Sequence, residues 1–224
     1  TMAEMTARGE APEFLFWVGC AGSFDDRAKK ITKAFVKIMN KAEVKFAVLG
    51  TEEACSGDPA KRAGNEFLFQ MQAVSNIEIL NAYEVKKIVT TCPHCFNTLK
   101  NEYPQMGGEY EVMHYSEMLQ ELLSSGQLPI CDRQNGSIAY HDSCYLGRYN
   151  DIYSAPRELL DYVGNNRVEL SHKGENSFCC GGGGGMMWME TDPNTRINNK
   201  RLQHVINAKV DTVATACPYC LTMF

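Results

Sequence analysis

Apolar and polar residues fall in alternating blocks along the chain. EFLFWVG (13–19), KFAVLG (45–50) and VKKIVTTC (85–92) are short apolar runs bounded by polar segments, and they read as buried strands. Between them, DDRAKKITKAFVKIMNKA (25–42) sets Ile31, Phe35, Ile38 and Met39 at helical spacing. PAKRAGNEFLFQMQAVSNIEILNAY (59–83) predicts a second helix opening at Asp58-Pro59, where proline suits the first helical position. A further helix starts at Pro93, followed by a strand in YEVMHY (110–115) and a helix in SEMLQELLSSG (116–126). The pattern then restarts. SIAYHDSC (137–144) is a strand, SAPRELLDYVG (154–164) a helix and NRVEL (166–170) a strand. TRINNKRLQHVINAKV (195–210) is a helix leading into the strand DTVATAC (211–217). Strands alternating with helices predict an α/β fold of parallel strands with flanking helices. In such sheets, sites form beyond the carboxyl ends of the strands. Cys20, Cys92, Cys144 and Cys217 each end a predicted strand.

Those cysteines reveal a repeat. Cys20 and Cys144 are 124 residues apart, as are Cys55 and Cys179; Cys92-Cys95 and Cys217-Cys220 are 125 apart. Four matched positions with one residue of drift indicate an internal duplication. Two pseudo-symmetric domains are expected, 1–130 and 131–224. Cys131 has no counterpart and reads as a thiol in the connection between the halves. After Cys95 the first half continues through a helix, a strand and a helix, whereas only Leu221, Thr222, Met223 and Phe224 follow Cys220. The second repeat is therefore expected to be incomplete at its C-terminus.

Composition narrows the class of function. With 44% hydrophobic residues, 22% charged residues and a net charge of −5, the 224-residue chain has a globular composition and no basic footprint for nucleic acid. No apolar run approaches the length of a membrane span. Ten cysteines without an export signal favour metal or redox roles in a reducing, cytoplasmic setting over a disulfide framework.

Two chemistries use a Cys-x-x-Cys at a helix start. CPHC and CPYC could exchange a disulfide, since a helix N-terminus lowers a thiol pKa. A thioredoxin fold, however, carries strands after its motif, and dithiol exchange leaves the distant matching cysteines unexplained. The metal reading uses them all. Cys20, Cys55, Cys92 and Cys95 are four soft ligands, enough for zinc or for an iron–sulfur cubane. The second half offers five: Cys144, Cys179, Cys180, Cys217 and Cys220. Neighbours in extended chain point to opposite sides, so Cys179 and Cys180 are expected to meet different irons of a larger cluster, or one of them to bridge two. Ser56 stands where Cys180 stands, which makes the halves chemically unequal.

The two blocks Cys-x(34)-Cys-(Cys/Ser)-Gly followed by Cys-Pro-x-Cys, with EEACSGDPAKRAGNE, HDSCYLGR and FCCGGGGG, resemble the cysteine-rich CCG domains of the heterodisulfide reductase B/D family. The likeness extends to the iron–sulfur subunits of glycerol-3-phosphate, glycolate and lactate oxidation systems. It implies an iron–sulfur oxidoreductase subunit with a noncubane 4Fe–4S cluster on Cys144, Cys179, Cys180, Cys217 and Cys220. Ser56 departs from the pattern, leaving a 4Fe–4S cubane, zinc or an altered cluster for the first site. Because the chain has no ferredoxin-type Cys-x-x-Cys-x-x-Cys run, its electrons are expected from a ferredoxin-type or flavin-containing partner subunit. The expected acceptor is a disulfide, a quinone or another small molecule, in a soluble or peripheral membrane complex. The alternative is a structural subunit whose zinc or inert clusters organise a larger redox complex.

Other residues carry paired readings. His141 either orients the loop before Cys144, as Asp142 does, or donates a proton to a departing thiolate. His94, inside CPHC, faces the same choice. His114, His172 and His204 show no ligand spacing. Arg62 and Arg148 are either structural or act on an anionic centre or substrate. Gly181–Gly185 is read as backbone that approaches the cluster and aims N–H groups at sulfur rather than as a linker. Met186, Met187 and Trp188 either cover the site or pack in the core.

Overall fold

The structure, a computed structural model, describes residues 1–129, 135–164 and 166–224. The chain folds as two compact units, Thr1–Met118 and Leu119–Phe224. The expected boundary at 130/131 and Cys131 itself lie outside the described residues.

The first unit opens with α1 (Met2–Ala7), which the apolar pattern did not announce. A Thr1–Glu4 capping box satisfies its first backbone donors. There follow β1 (Phe14–Trp17), α2 (Gly19–Phe24), α3 (Asp26–Lys41) and β2 (Phe46–Ala47). Next come α4 (Asp58–Arg62), α5 (Glu66–Ala82), β3 (Lys87–Thr90), α6 (Pro93–Asn97) and β4 (Glu111–His114). The chain passes toward the second unit in α7 (Tyr115–Ser124). All strands are parallel, in the order β2-β1-β3-β4. A parallel sheet covered on both faces is apolar along its length, and Leu15, Phe16, Trp17, Ile88 and Val89 are all buried.

Asp25 caps α3, accepting from the N–H groups of Arg27 and Ala28 at 3.0 and 2.8 Å. The buried stripe of α3 is Ala28, Phe35 and Met39; Ile31, expected inside, is 37% exposed. Phe35 meets Phe16 edge-on at 5.1 Å between centroids. The single helix expected after Asp58 is two. Gly64 N–H donates to Lys61 O and Asn65 N–H to Ala60 O, which ends α4, and the Asn65 side chain then caps α5 through Leu68 N–H.

The second unit contains β5 (Ser137–His141), α8 (Ser154–Tyr162), β6 (Asn166–Val168), α9 (Ile197–Asn207), β7 (Thr212–Thr215) and α10 (Pro218–Met223). Its parallel sheet has the order β6-β5-β7, the same arrangement as β2-β1-β3. Even local irregularities repeat: Glu84 after α5 and Lys209 after α9 are left-handed at φ 53° and 52°. The core here gathers Ala139, Leu170 and Val205, with Val210, Val213 and Phe224 packed against them.

Candidate functional site

Each unit gathers its site cysteines beyond the carboxyl ends of two neighbouring strands, β1 and β3 in the first and β5 and β7 in the second. In the first, Cys20 lies in the opening turn of α2, directly after β1. Cys92 is the N-cap of α6 and Cys95 lies one turn on. Cys55 comes from the loop before α4. The thiols of Cys20 and Cys55 are hydrogen-bonded to each other, as are those of Cys92 and Cys95. Cys20 acts electrostatically on Cys95, and Ser56 Oγ lies 3.6 Å from Cys95 Sγ. Four thiols and a hydroxyl thus converge although 75 residues separate Cys20 from Cys95. The Cys95 thiol lowers the Cys92 pKa by hydrogen bonding, and the His94 charge and the backbone N–H groups of His94 and Cys95 add to it.

The second unit draws Cys144, Cys179, Cys180, Cys217 and Cys220 into one cluster. Hydrogen bonds join Cys144 to Cys179, Cys179 to Cys180, Cys180 to Cys220 and Cys220 to Cys217. The Sγ atoms of Cys180 and Cys220 are 3.2 Å apart. Cys179 and Cys180 therefore do not face away from each other as adjacent residues of extended chain would. The chain turns at Gly181, which sits at φ +84°, and its N–H donates to Cys179 Sγ at 3.2 Å. Gly57 makes the same turn in the first unit, at φ +91° with its N–H 3.5 Å from Cys55 Sγ. Gly182 N–H adds a bond to Cys180. The Cys144 and Cys180 thiols, then Gly181 N–H, push the Cys179 pKa well down. Among the described residues every cysteine is a free thiol.

His141 ends β5, and one of its ring nitrogens lies within 4.8 Å of the sulfurs of Cys180 and Cys220. Its Nδ1 accepts from Arg201 Nε at 3.0 Å. Burial, then the Arg201 charge, lowers its pKa to about 3, so the ring is neutral at pH 7, with Nε2–H left as donor. A neutral imidazole has no imidazolium proton to give, and its bond from Arg201 accords with the structural one of the two readings of His141. Loop orientation falls to Asp142. Its carboxylate takes two bonds from Arg157, at 2.6 and 2.9 Å, and one from Gly174 N–H, while its carbonyl accepts from Ser177 Oγ.

The remaining candidates contact neighbouring residues of their own unit. His94 Nδ1 is 2.8 Å from Asp58, and Asp58 in turn binds Arg62, which also pairs with Glu102. Arg148 donates to Ser177 O at 3.1 Å. His114 bonds Ser116, and His172 stacks on His204. Met186 and Met187 line a cavity of about 250 Å³ with Gly181, Arg196, Asn198 and Met223. Trp188 packs edge-on against Tyr219.

Several residues escaped sequence reasoning. Glu53 receives the N–H groups of Val18 and Gly19 at 3.0 and 2.5 Å and so fixes the turn before Cys20; burial raises its pKa to about 7. Asn76 donates to Cys55 O and to Tyr103 Oη, and Tyr103 donates to Ser56 O. Arg201 is fully buried. For Asn76 and Arg201 the signal was a polar residue in the apolar register of a helix.

The cysteine-rich domain profile, CCG, matches twice, over residues 14–100 and 138–224. The chain is 47% identical over 224 residues to "Probable iron-sulfur-binding oxidoreductase FadF" of Bacillus subtilis, covering all of this chain and 32% of that protein. It is 46% identical to "EtfAB:quinone oxidoreductase" of Syntrophomonas wolfei, covering 96% of this chain and 31% of that protein. It is 30% identical to one component of the dihydromethanophenazine:CoB–CoM heterodisulfide reductase of Methanosarcina barkeri, covering 93% of this chain and 52% of that protein. The chain thus spans about a third of the first two relatives and about half of the third.

Proposed function

The chain belongs to the cysteine-rich (CCG) domain family, and on that premise we propose that it is an iron–sulfur electron-transfer part of an oxidoreductase, with one centre in each repeat. The observation that carries this reading is the unbroken cluster of five thiols in the second unit. Tetrahedral zinc takes four thiolates, and so does a cubane. A fifth soft donor exceeds both and would suit a larger iron–sulfur centre, for which thiolates are the matching ligands. On this reading Cys144, Cys179, Cys180, Cys217 and Cys220 hold a noncubane 4Fe–4S centre. Cys20, Cys55, Cys92 and Cys95 hold a simpler 4Fe–4S centre, with zinc the alternative there. Such centres supply one-electron transfer, at potentials set by charge, hydrogen bonds to sulfur and exposure.

The chain's own residues prepare for that charge. The N–H groups of Gly181 and Gly182 stabilise thiolates at Cys179 and Cys180. His141, neutral and held by Arg201, brings a ring nitrogen within 4.8 Å of the Cys180 and Cys220 sulfurs. The buried Cys-Pro-x-Cys turns keep water from Cys92, Cys95, Cys217 and Cys220. The names of the relatives favour a quinone or a disulfide as acceptor. Electrons would arrive from a ferredoxin-type or flavin-containing partner, and the whole would sit in the cytoplasm or on the membrane surface, where thiols stay reduced. Among the described residues no helix is long and apolar enough to cross a membrane.

Anaerobic purification followed by iron, sulfide and zinc analysis tests the reading. A brown protein with iron and sulfide in the second site is expected. Cys180→Ser should change the paramagnetic spectrum of that centre while the fold survives, and Ser56→Cys should be milder. A colourless protein with zinc in both sites refutes the proposal.

A further inference from the structure

Arg201 is 0% exposed and carries a guanidinium that stays protonated in proteins. Its Nε donates to His141 Nδ1 and its Nη1 to His172 O, both at 3.0 Å, while its Nη2 is buried with no hydrogen-bond partner among the described residues. The carboxylate that acts on it, Asp142, makes its own hydrogen bonds elsewhere, two from Arg157 and one from Gly174. A dry cation without a dedicated counter-ion is costly, so it persists where negative charge is at hand. Asp142 acts on Arg201 most strongly, and sulfur adds to it: Cys220 and Cys180 both act electrostatically on Arg201 as well. His141, which takes the Nε bond, lies within 4.8 Å of both sulfurs.

The duplication supplies an internal control. Cys92 and Cys217, and the left-handed Glu84 and Lys209, share the 125-residue offset, and this places Asn76 opposite Arg201. Asn76 is also 0% exposed, and it binds neutral groups, Cys55 O at 2.9 Å and Tyr103 Oη at 3.0 Å. At the 124-residue offset, Trp17 stands opposite His141 and Ser56 opposite Cys180. The unit with a fifth thiol therefore has a buried cation where the unit with four has an amide. It also has an imidazole, in contact with that cation, where the other has an indole.

We propose that Arg201 is the charge-compensating residue of the second centre: its guanidinium, through His141, offsets the extra negative charge that Cys180 brings and so sets the centre's reduction equilibrium. This rests on the iron–sulfur reading of the second site. Arg201 acts through His141 and the thiolates as a positioning and tuning group, and it is not assigned contact with substrate. Removing a positive charge beside an anionic centre disfavours the reduced form, so the potential should fall.

The test is a potentiometric titration of the anaerobically loaded chain, followed by paramagnetic resonance, with iron and sulfide measured first. Arg201→Gln should load iron and shift the second centre's reduction equilibrium at least tenfold toward the oxidised form, about 59 mV for a one-electron couple. Arg201→Lys, which keeps the charge and loses the fork, should titrate with the parent. Combining Arg201→Gln with Cys180→Ser should recover part of the shift, because a positive and a negative charge leave together. A fully loaded Arg201→Gln with the parent potential overturns the proposal. If Arg201→Gln does not load, Arg201→Lys decides: the parent potential supports the proposal, and a tenfold shift overturns it. Failure of both variants to load assigns Arg201 a folding role and overturns it as well. A parent chain that binds no iron refutes the iron–sulfur reading itself, a result distinct from all of these.

Discussion

Gly57→Ala tests the turn that brings Cys55 and Ser56 to the first site. Gly57 is left-handed at φ +91°, a region that costs a residue with a Cβ about 1–2 kcal/mol. An added Cβ would also lie 2.7 Å from Phe69 Cδ2. Phe69 is 2% exposed and cannot swing into solvent, so relieving this overlap adds about 1–3 kcal/mol of strain. Together the two terms predict a loss of about 2–5 kcal/mol in the first unit, or about 1–2 M in urea midpoint for a slope typical of a small domain. Tryptophan fluorescence is a suitable probe, because Trp17 is fully buried in the first unit whereas Trp188 in the second is 58% exposed. Gly181→Ala is the control. It shares the left-handed cost at φ +84°, but its nearest new neighbour, Ile197 Cβ, lies at 3.3 Å, so about 1–2 kcal/mol is expected, all of it in the second unit. A Gly57→Ala chain within 0.5 kcal/mol of the parent, or two glycine variants of equal effect, would refute the reasoning.

Arg157→Leu removes the partner of Asp142, whose side chain is 3% exposed, and leaves its charge buried. Urea denaturation should show the second unit losing about 3 kcal/mol. Tyr103→Phe deletes a fully buried hydroxyl bonded to Asn76 and Ser56 and should destabilise the first unit by about 1–3 kcal/mol, read by the same assay. Phe35→Ala empties the site between Phe16 and Tyr115, and calorimetry should report a loss of about 3–5 kcal/mol.

Much of this protein is written locally. The short apolar run EFLFWVG became β1 because a strand buried on both faces needs no alternation. The cysteine offsets disclosed the duplication, and Pro93 and Pro218 marked helix starts with a cysteine as N-cap. The five-against-four inequality of the sites was equally legible, since it needs only Ser56 and Cys180 in register.

What the sequence by itself could not decide depends on residues far apart in the chain. The facing of Cys179 and Cys180 depended on whether the chain stays extended, and the left-handed Gly181 turned it. The state of His141 depended on desolvation and on Arg201, 60 positions away on another element. The role of Glu53 depended on the sheet, which brings the Val18 and Gly19 amides to its carboxylate. Periodicity and motif spacing report which face a residue occupies. Burial, charge pairing and hydrogen-bond satisfaction depend on what the other elements place opposite that face, and only the assembled fold specifies that.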